Sequence, residues 1–340
     1  MGFYSRALSI VIRMFRGLRS YGKHSRIMLN GREALRVLPE SGPVRGTLLA
    51  VHGMTAKGNE DPRIHVLASA FAANGYEVIL PAYREIRSLT IDSRSIGFME
   101  DDLMSLAALD NRGPVGVFSA SFSGSLAMVA ASGKAASSVK AMLLVGPFGH
   151  VMSVVEHLFD AEDRDPYGFF VVLKNFLPGK SKKALELRHC FEQAALDNGL
   201  QRNPRQLPVA LADVSPAIRK EFYRILHDAA YRREMKDRIL NDPRCKQIAQ
   251  RIDVIQHCPD IKASITLIHG DRDNVIPPGE SRLLFDHLRH HVPARVCLTP
   301  LISHGTVQYG LDLPLRVHQV VSTMSSFLQD LEGSVRNEKV

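Results

Sequence analysis

Tryptophan is absent from this 340-residue chain, and cysteine occurs four times, at Cys190, Cys245, Cys258 and Cys297. No C-x-x-C pair or regular spacing joins the cysteines, which argues against a zinc site or a disulfide framework and fits reduced thiols in a cytoplasmic protein. No apolar run reaches the ~18 residues of a membrane-spanning helix. Internal repeats are missing, and the only biased stretch is a polar tail at 333–340. Acidic residues are missing from the first 32 positions, which hold Arg6, Arg13, Arg16, Arg19, Lys23, Arg26 and Arg32. Those seven carry nearly all of the net charge of +8 and leave +1 on the other 308 residues. A body so near neutrality lacks the basic footprint of a nucleic-acid-binding domain.

What is present is an alternation of strands and helices. Residues 26–38 read as a β-hairpin about Asn30-Gly31. The continuous apolar run GTLLAVHG (46–53) has the character of a buried parallel-type strand, and YEVILPAY (76–83), VGVFSAS (115–121) and VKAMLLVGP (139–147) read as further strands. Helical patterns separate them at 64–75, 99–109 and 123–132. From 149 to 258 the rhythm stops, and only helical patterns broken by Pro and Gly remain. It resumes with SITLIHG (264–270), a helix at 279–291, ARVCLTPL (294–301) and a last helix near 312–331. Such alternation predicts an α/β fold, with a mostly parallel sheet and helices on both faces. The expected organisation is an N-terminal helix in 1–24, a core in 25–148 and 259–332, and a helical insertion in 149–258.

The stretch GVFSASFSGSLAM, residues 116–128, packs four serines into the junction between a strand and a helix. It resembles the nucleophile elbow of the α/β-hydrolase superfamily, G-x-S-x-G, in which small residues two before and two after the serine let strand and helix backbones approach. The frame SASFS makes Ser121 the nucleophile, with Ser119 and Ser123 at the positions where the motif has glycines. Ser119 as nucleophile would put Val117 at a position that must be small. Size alone leaves Ser123 open.

A serine hydroxyl needs a base, and the base needs a carboxylate to orient it. Three further segments carry the resemblance. ITLIHGDRDNVIP resembles the acid loop and implies Asp273 as the acid, with Asp271 the alternative. LISHG resembles the histidine loop and implies His304 as the base. HGMT, at 52–55, resembles the oxyanion loop; it implies the N–H of Met54 as one donor and that of Phe122 as the other, with His52 structural. The resemblance covers roughly 26–148 and 260–331, and the insertion falls where these enzymes carry a cap. It implies a serine hydrolase without metal or organic cofactor, which cleaves an ester or thioester of a lipophilic acyl substrate through an acyl-enzyme. Acyl transfer or cleavage of a bond other than an ester on the same triad, or a catalytically silent lipid-binding scaffold, are the alternatives. The adjacent histidines of LRHHV (288–292) do not share a helix face as a metal pair would. GNEDPR (58–63) reads as a helix-initiating loop, and His150 as part of a turn.

Residues 3–21 form an amphipathic pattern. Phe3, Tyr4, Ala7, Leu8, Ile10, Val11, Met14, Phe15 and Leu18 share one face; Ser5, Arg6, Ser9, Arg13, Arg16 and Arg19 share the other. Three readings follow. In one, the helix lies peripherally on an anionic membrane; in a second, its apolar face packs on the protein body or a second subunit; in a third, the acid-free segment with its Arg and Ser residues is a mitochondrial transit peptide.

Overall fold

The computed structural model describes residues 2–17, 21–109, 113–303, 306–307 and 313–333. Eight strands form one sheet, in the order β1-β2-β4-β3-β5-β6-β7-β8. They are β1 (Lys23–Leu29), β2 (Arg32–Leu38), β3 (Thr47–Val51), β4 (Glu77–Pro81), β5 (Val115–Ala120), β6 (Ala141–Val145), β7 (Ser264–Gly270) and β8 (Ala294–Thr299). β1 and β2 form the expected hairpin. Asn30 and Gly31 both take positive φ, 46° and 78°, as a two-residue turn of the twisted type requires. The hairpin continues the main sheet, because β2 pairs antiparallel with β4; every pairing from β4 to β8 is parallel. All five residues of β3 and of β4 are buried, as in strands covered on both faces.

Helices cover both faces. On one lie α1 (Phe3–Phe15), α2 (Pro62–Ala72) and α14 (Leu313–Glu332). On the other lie α4 (Arg94–Ala107), α5 (Phe122–Ala130) and α13 (Gly279–Leu288), after a short α3 (Arg84–Arg87) that the sequence pattern does not reveal. Asp61 caps α2, accepting from the N–H of Arg63 at 2.9 Å, with Pro62 as its first residue.

Between β6 and β7 run seven helices: α6 (Val151–Asp160), α7 (Pro166–Phe176), α8 (Lys182–Leu200), α9 (Leu207–Asp213), α10 (Pro216–His227), α11 (Ala229–Asn241) and α12 (Pro243–Ile252). Asp165, Ser215 and Asp242 cap α7, α10 and α12, each followed by a proline. The apolar core on the α5 face runs on into these helices without a break. Their entry is held by two carboxylates. Glu280 Oε2 accepts from the N–H of Gly149 (2.8 Å) and of His150 (2.9 Å), and Asp253 Oδ1 accepts from the N–H of Val151 (2.7 Å). Anionic groups are favoured there, since a helix N-terminus presents unpaired donors and a positive dipole end. His150, expected in a simple turn, stands at the N-cap position of α6 without a side-chain cap bond and lies 3.3 Å from Asp253 through Nδ1.

The N-terminal helix is shorter than its pattern. It ends at Phe15, followed by Gly17 at φ +64°, a left-handed stop that glycine favours; positions 18–20 lie outside the described residues. The centre of its apolar face, Ala7, Ile10 and Val11, is buried against α2 and α14, as the second of the readings above has it. Arg6 departs from the polar face assigned to it. It is 4% exposed, because it stands one turn before Ile10 and so shares the edge that turns toward α14. There it pairs with Glu332 at 2.6 Å and donates to the hydroxyl of Tyr76 at 3.0 Å. Removing one partner of such a pair leaves the other uncompensated. Arg6→Ala is expected to cost about 3 kcal/mol of unfolding free energy in urea titration, whereas Arg16→Ala, at an exposed position, should change little.

Candidate active site

The parallel register sets the C-terminal ends of β3, β5, β6 and β7 side by side. Val51 lies opposite Ser119, Ala120 opposite Val145, and Val145 opposite Ile268. The loops leaving these ends therefore meet at one edge of the sheet.

The four serines separate by geometry. Ser119 is buried in β5 and donates to the carbonyl of Val51 at 3.2 Å, tying β5 to β3. Ser125 is buried in α5; its hydroxyl donates to the carbonyl of Phe148 and accepts from the N–H of Phe148, both at 2.8 Å. Ser123 is fully buried within the first turn of α5, and its Oγ has no partner among the described residues. Ser121 differs from all three. It stands between strand and helix at φ +59°, ψ −145°, a region in which side chains other than glycine's are strained by about 1–3 kcal/mol. Its N–H donates to the carbonyl of Val145 at 2.7 Å and its carbonyl accepts from the N–H of Gly124 at 2.8 Å, so the turn is pinned from both sides. Its side chain is partly exposed and caps no helix N–H.

The loop after β3, the expected oxyanion loop, abuts this serine. A Cβ placed on Gly53 would stand 3.6 Å from the carbonyl oxygen of Ala120 and 3.9 Å from Cβ of Ser121. Phe122 is the first residue of α5, so its N–H has no carbonyl partner within the helix. His52 is buried, and its Nδ1–H donates to the carbonyl of Gly53 at 2.9 Å. That bond orients the peptide unit whose other end is the N–H of Met54. It also fixes the tautomer, because a carbonyl can only accept, and it leaves Nε2 as a buried lone pair without a partner among the described residues. Burial, the largest influence, pushes the His52 pKa below its usual 6.5. A histidine lowered in the folded state binds a proton more readily when unfolded. Its contribution to stability is therefore complete above about pH 6.5 and is lost as the pH falls from there toward the folded-state pKa. The unfolding free energy should drop on acidification through this window, by at most about 1.4 kcal/mol per pH unit, and His52→Gln should remove that part of the slope.

Asp273 is buried in the loop after β7. Oδ1 accepts from the N–H groups of Val275 (2.9 Å) and Ile276 (3.0 Å), and Oδ2 lies 3.6 Å from Nε2 of His269. Gly146, at φ +62°, lets the chain leaving β6 pass close by; a Cβ there would stand 3.5 Å from Asp273 Oδ2. Asp271, the alternative acid, is exposed. The structure thus gathers Ser121, Phe122, Met54 and Asp273 at one edge, while His304 lies outside the described residues. Tyr167, which the sequence did not single out, reaches this edge from α7: its hydroxyl donates to the carbonyl of Met54 at 2.7 Å. It follows an Asp-Pro helix start in DPYGFF and belongs to no motif.

Solved structures share this architecture over nearly the whole chain. A puromycin-hydrolyzing peptidase of Mycobacterium tuberculosis superposes with a TM-score of 0.56 at 15% identity, over 93% of this chain and 40% of its own. A Pyrococcus horikoshii acylaminoacyl peptidase gives 0.52 at 12%, over 95% and 44%. A Pyrococcus furiosus esterase gives 0.50 at 12%, over 92% and 93%. The chain has the α/β-hydrolase fold. It spans about two fifths of the length of the two peptidases and nearly all of the esterase. No family model matches it, and no curated protein does. Identity this low speaks for the fold and not for substrate.

Proposed function

We propose that this α/β-hydrolase-fold protein is a serine hydrolase that cleaves a carboxylic ester or thioester through an acyl-enzyme. The observation that carries the reading is the backbone of Ser121. A partly exposed serine is held in a strained conformation, pinned on both sides, beside a loop glycine that leaves room over its Cβ. Such strain persists only where the surroundings impose it, and it clusters at functional sites.

In this mechanism His304 takes the proton of Ser121 as Oγ attacks the acyl carbon. The oxygen of that carbonyl becomes negative and is met by the N–H groups of Phe122 and Met54. His304 then gives its proton to the departing alcohol or thiol. Water enters, loses a proton to His304, and attacks the acyl-enzyme; Ser121 is regenerated as the acid leaves. Asp273 orients His304 and stabilises the imidazolium. Its position supports this role, since it is buried at the same edge and held by two backbone donors, while Asp271 faces solvent. The helices between β6 and β7 act as a cap. A lipophilic acyl group is supported by the donors' own residues. Met54 and Phe122 both carry large apolar side chains, and both pack into the apolar cluster that α6 and α7 share. Contact of α1 with an anionic membrane would use only its outward side, where Leu8, Ile12, Arg13 and Arg16 line a shallow pocket, because Ala7, Ile10 and Val11 are covered.

Fluorophosphonate labelling tests the reading directly. The protein should be labelled at Ser121, and it should hydrolyse p-nitrophenyl esters or acyl-CoAs of graded chain length, with preference for longer chains. Absence of labelling together with absence of hydrolysis across the series would return the chain to the scaffold alternative.

A further inference from the structure

Helix α7 touches two loops of the candidate site, those after β3 and β7. At its N-terminal end the N–H of Asp165 donates to the carbonyl of Asn274, and Asn274 Nδ2 donates back to the carbonyl of Asp163 at 2.8 Å. Asn274 is the residue after the candidate acid. One turn on, Gly168 lies against the same loop: a Cβ there would stand 3.2 Å from Cγ1 of Val275 and 3.0 Å from the side chain of Leu158. Between these contacts Tyr167 crosses to the loop after β3 and donates to the carbonyl of Met54. Further along, Asn175 Oδ1 accepts from the N–H of Ile91 at 3.0 Å, and Nδ2 donates to the carbonyl of Leu89 at 2.9 Å.

The Tyr167 contact has a particular consequence. Met54 sits between two peptide units, and side chains hold both of their carbonyls: Gly53 by His52, and Met54 by Tyr167. With both units fixed, the N–H of Met54 has one direction. His52 belongs to the sheet end of the loop, whereas Tyr167 belongs to the insertion. Burial also keeps the Tyr167 phenol protonated, its pKa raised well above the usual value, so the hydroxyl stays a donor at any working pH.

We propose that Tyr167 is a positioning residue that aims the oxyanion donor of Met54, so that the donor is correctly directed only while α7 is seated across the acid and oxyanion loops. The inference rests on the serine-hydrolase reading above. It assigns the insertion a part in building the transition-state site, in addition to covering it. Tyr167 touches no reacting atom; it acts through the Met54 backbone.

The test is Tyr167→Phe in the full chain, which keeps the ring and removes one hydroxyl. One neutral hydrogen bond to a backbone group is worth about a factor of ten in an equilibrium. Turnover should therefore fall about tenfold, with KM changed less than twofold, because the donor is needed in the transition state and not for ground-state binding. Affinity for a trifluoromethyl ketone, whose hydrate-like adduct places an oxyanion in the same site, should fall by the same factor. A purely structural role would lower the melting temperature and leave the kcat of the folded fraction and the ketone affinity unchanged, and that result overturns the proposal. If Tyr167→Phe does not fold, Gly168→Ala, which pushes α7 from Val275 without touching Tyr167, must show the same kcat-selective loss; an unchanged kcat there overturns it equally. Labelling of unmodified protein by a fluorophosphonate separates the two levels: no labelling rejects the hydrolase reading itself, while normal labelling with unaltered variants rejects only the role of Tyr167.

Discussion

Ser121→Ala is expected to lower ester or thioester turnover by roughly four to six orders of magnitude, as loss of a triad serine does elsewhere, and to abolish fluorophosphonate labelling. The fold should survive, since the side chain bonds to no helix donor and the turn is held by its backbone. Strain supplies a second, independent readout. Serine at φ +59° is costly, and glycine is not. Ser121→Gly should therefore be as inactive as the alanine variant, yet more stable than the parent by about 1 kcal/mol. A residue whose removal stabilises the protein while ending its activity is selected for chemistry and against packing. Ser123→Ala separates the neighbouring candidate. Ser123 is buried and its hydroxyl has no partner among the described residues, so its replacement should be neutral or mildly stabilising and leave turnover near normal. Activity that survives Ser121→Ala and vanishes in Ser123→Ala would move the nucleophile into the helix.

Much of this arrangement was legible in the sequence because strands buried on both faces leave unbroken apolar runs. β3, β5, β6 and β7 were each visible in that way, and Met54, Ser121, Phe122 and Asp273 each come within a few residues of the end of one of them. The differences among the four serines were not legible. All four are small and polar in the text, and only the backbone separates a strand-to-strand tie at Ser119 and a clamp on Phe148 at Ser125 from the strained turn at Ser121. Arg6 shows another limit of pattern. A helical period says which side is apolar, but a cation at the edge of that side turns inward only because Glu332, more than 300 positions later, is there to meet it. Tyr167 was invisible for the same reason. The Asp-Pro start of α7 could be read, yet which carbonyl its second residue reaches depends on how seven helices pack back over the sheet.

Asp273→Asn is the change with the next largest expected effect. The asparagine keeps an oxygen for the N–H groups of Val275 and Ile276, so the loop after β7 should hold its shape. What is lost is the negative charge that favours a protonated imidazole at His304 and the acceptor that sets its tautomer. Turnover should fall by about three to four orders of magnitude, by comparison with other triads. The pH dependence supplies the sign. A nearby carboxylate raises the pKa of a histidine, and removing the charge lowers it. The base works in its neutral form, so the acid limb of the residual kcat/KM profile should move to lower pH in Asp273→Asn. Asp271→Asn, altering an exposed side chain, should leave both turnover and the limb where they were. If instead Asp271→Asn carries the loss and Asp273→Asn stays within about tenfold of the parent, well short of the triad effect, Asp273 is a loop-capping residue. Asp271 would then be the acid.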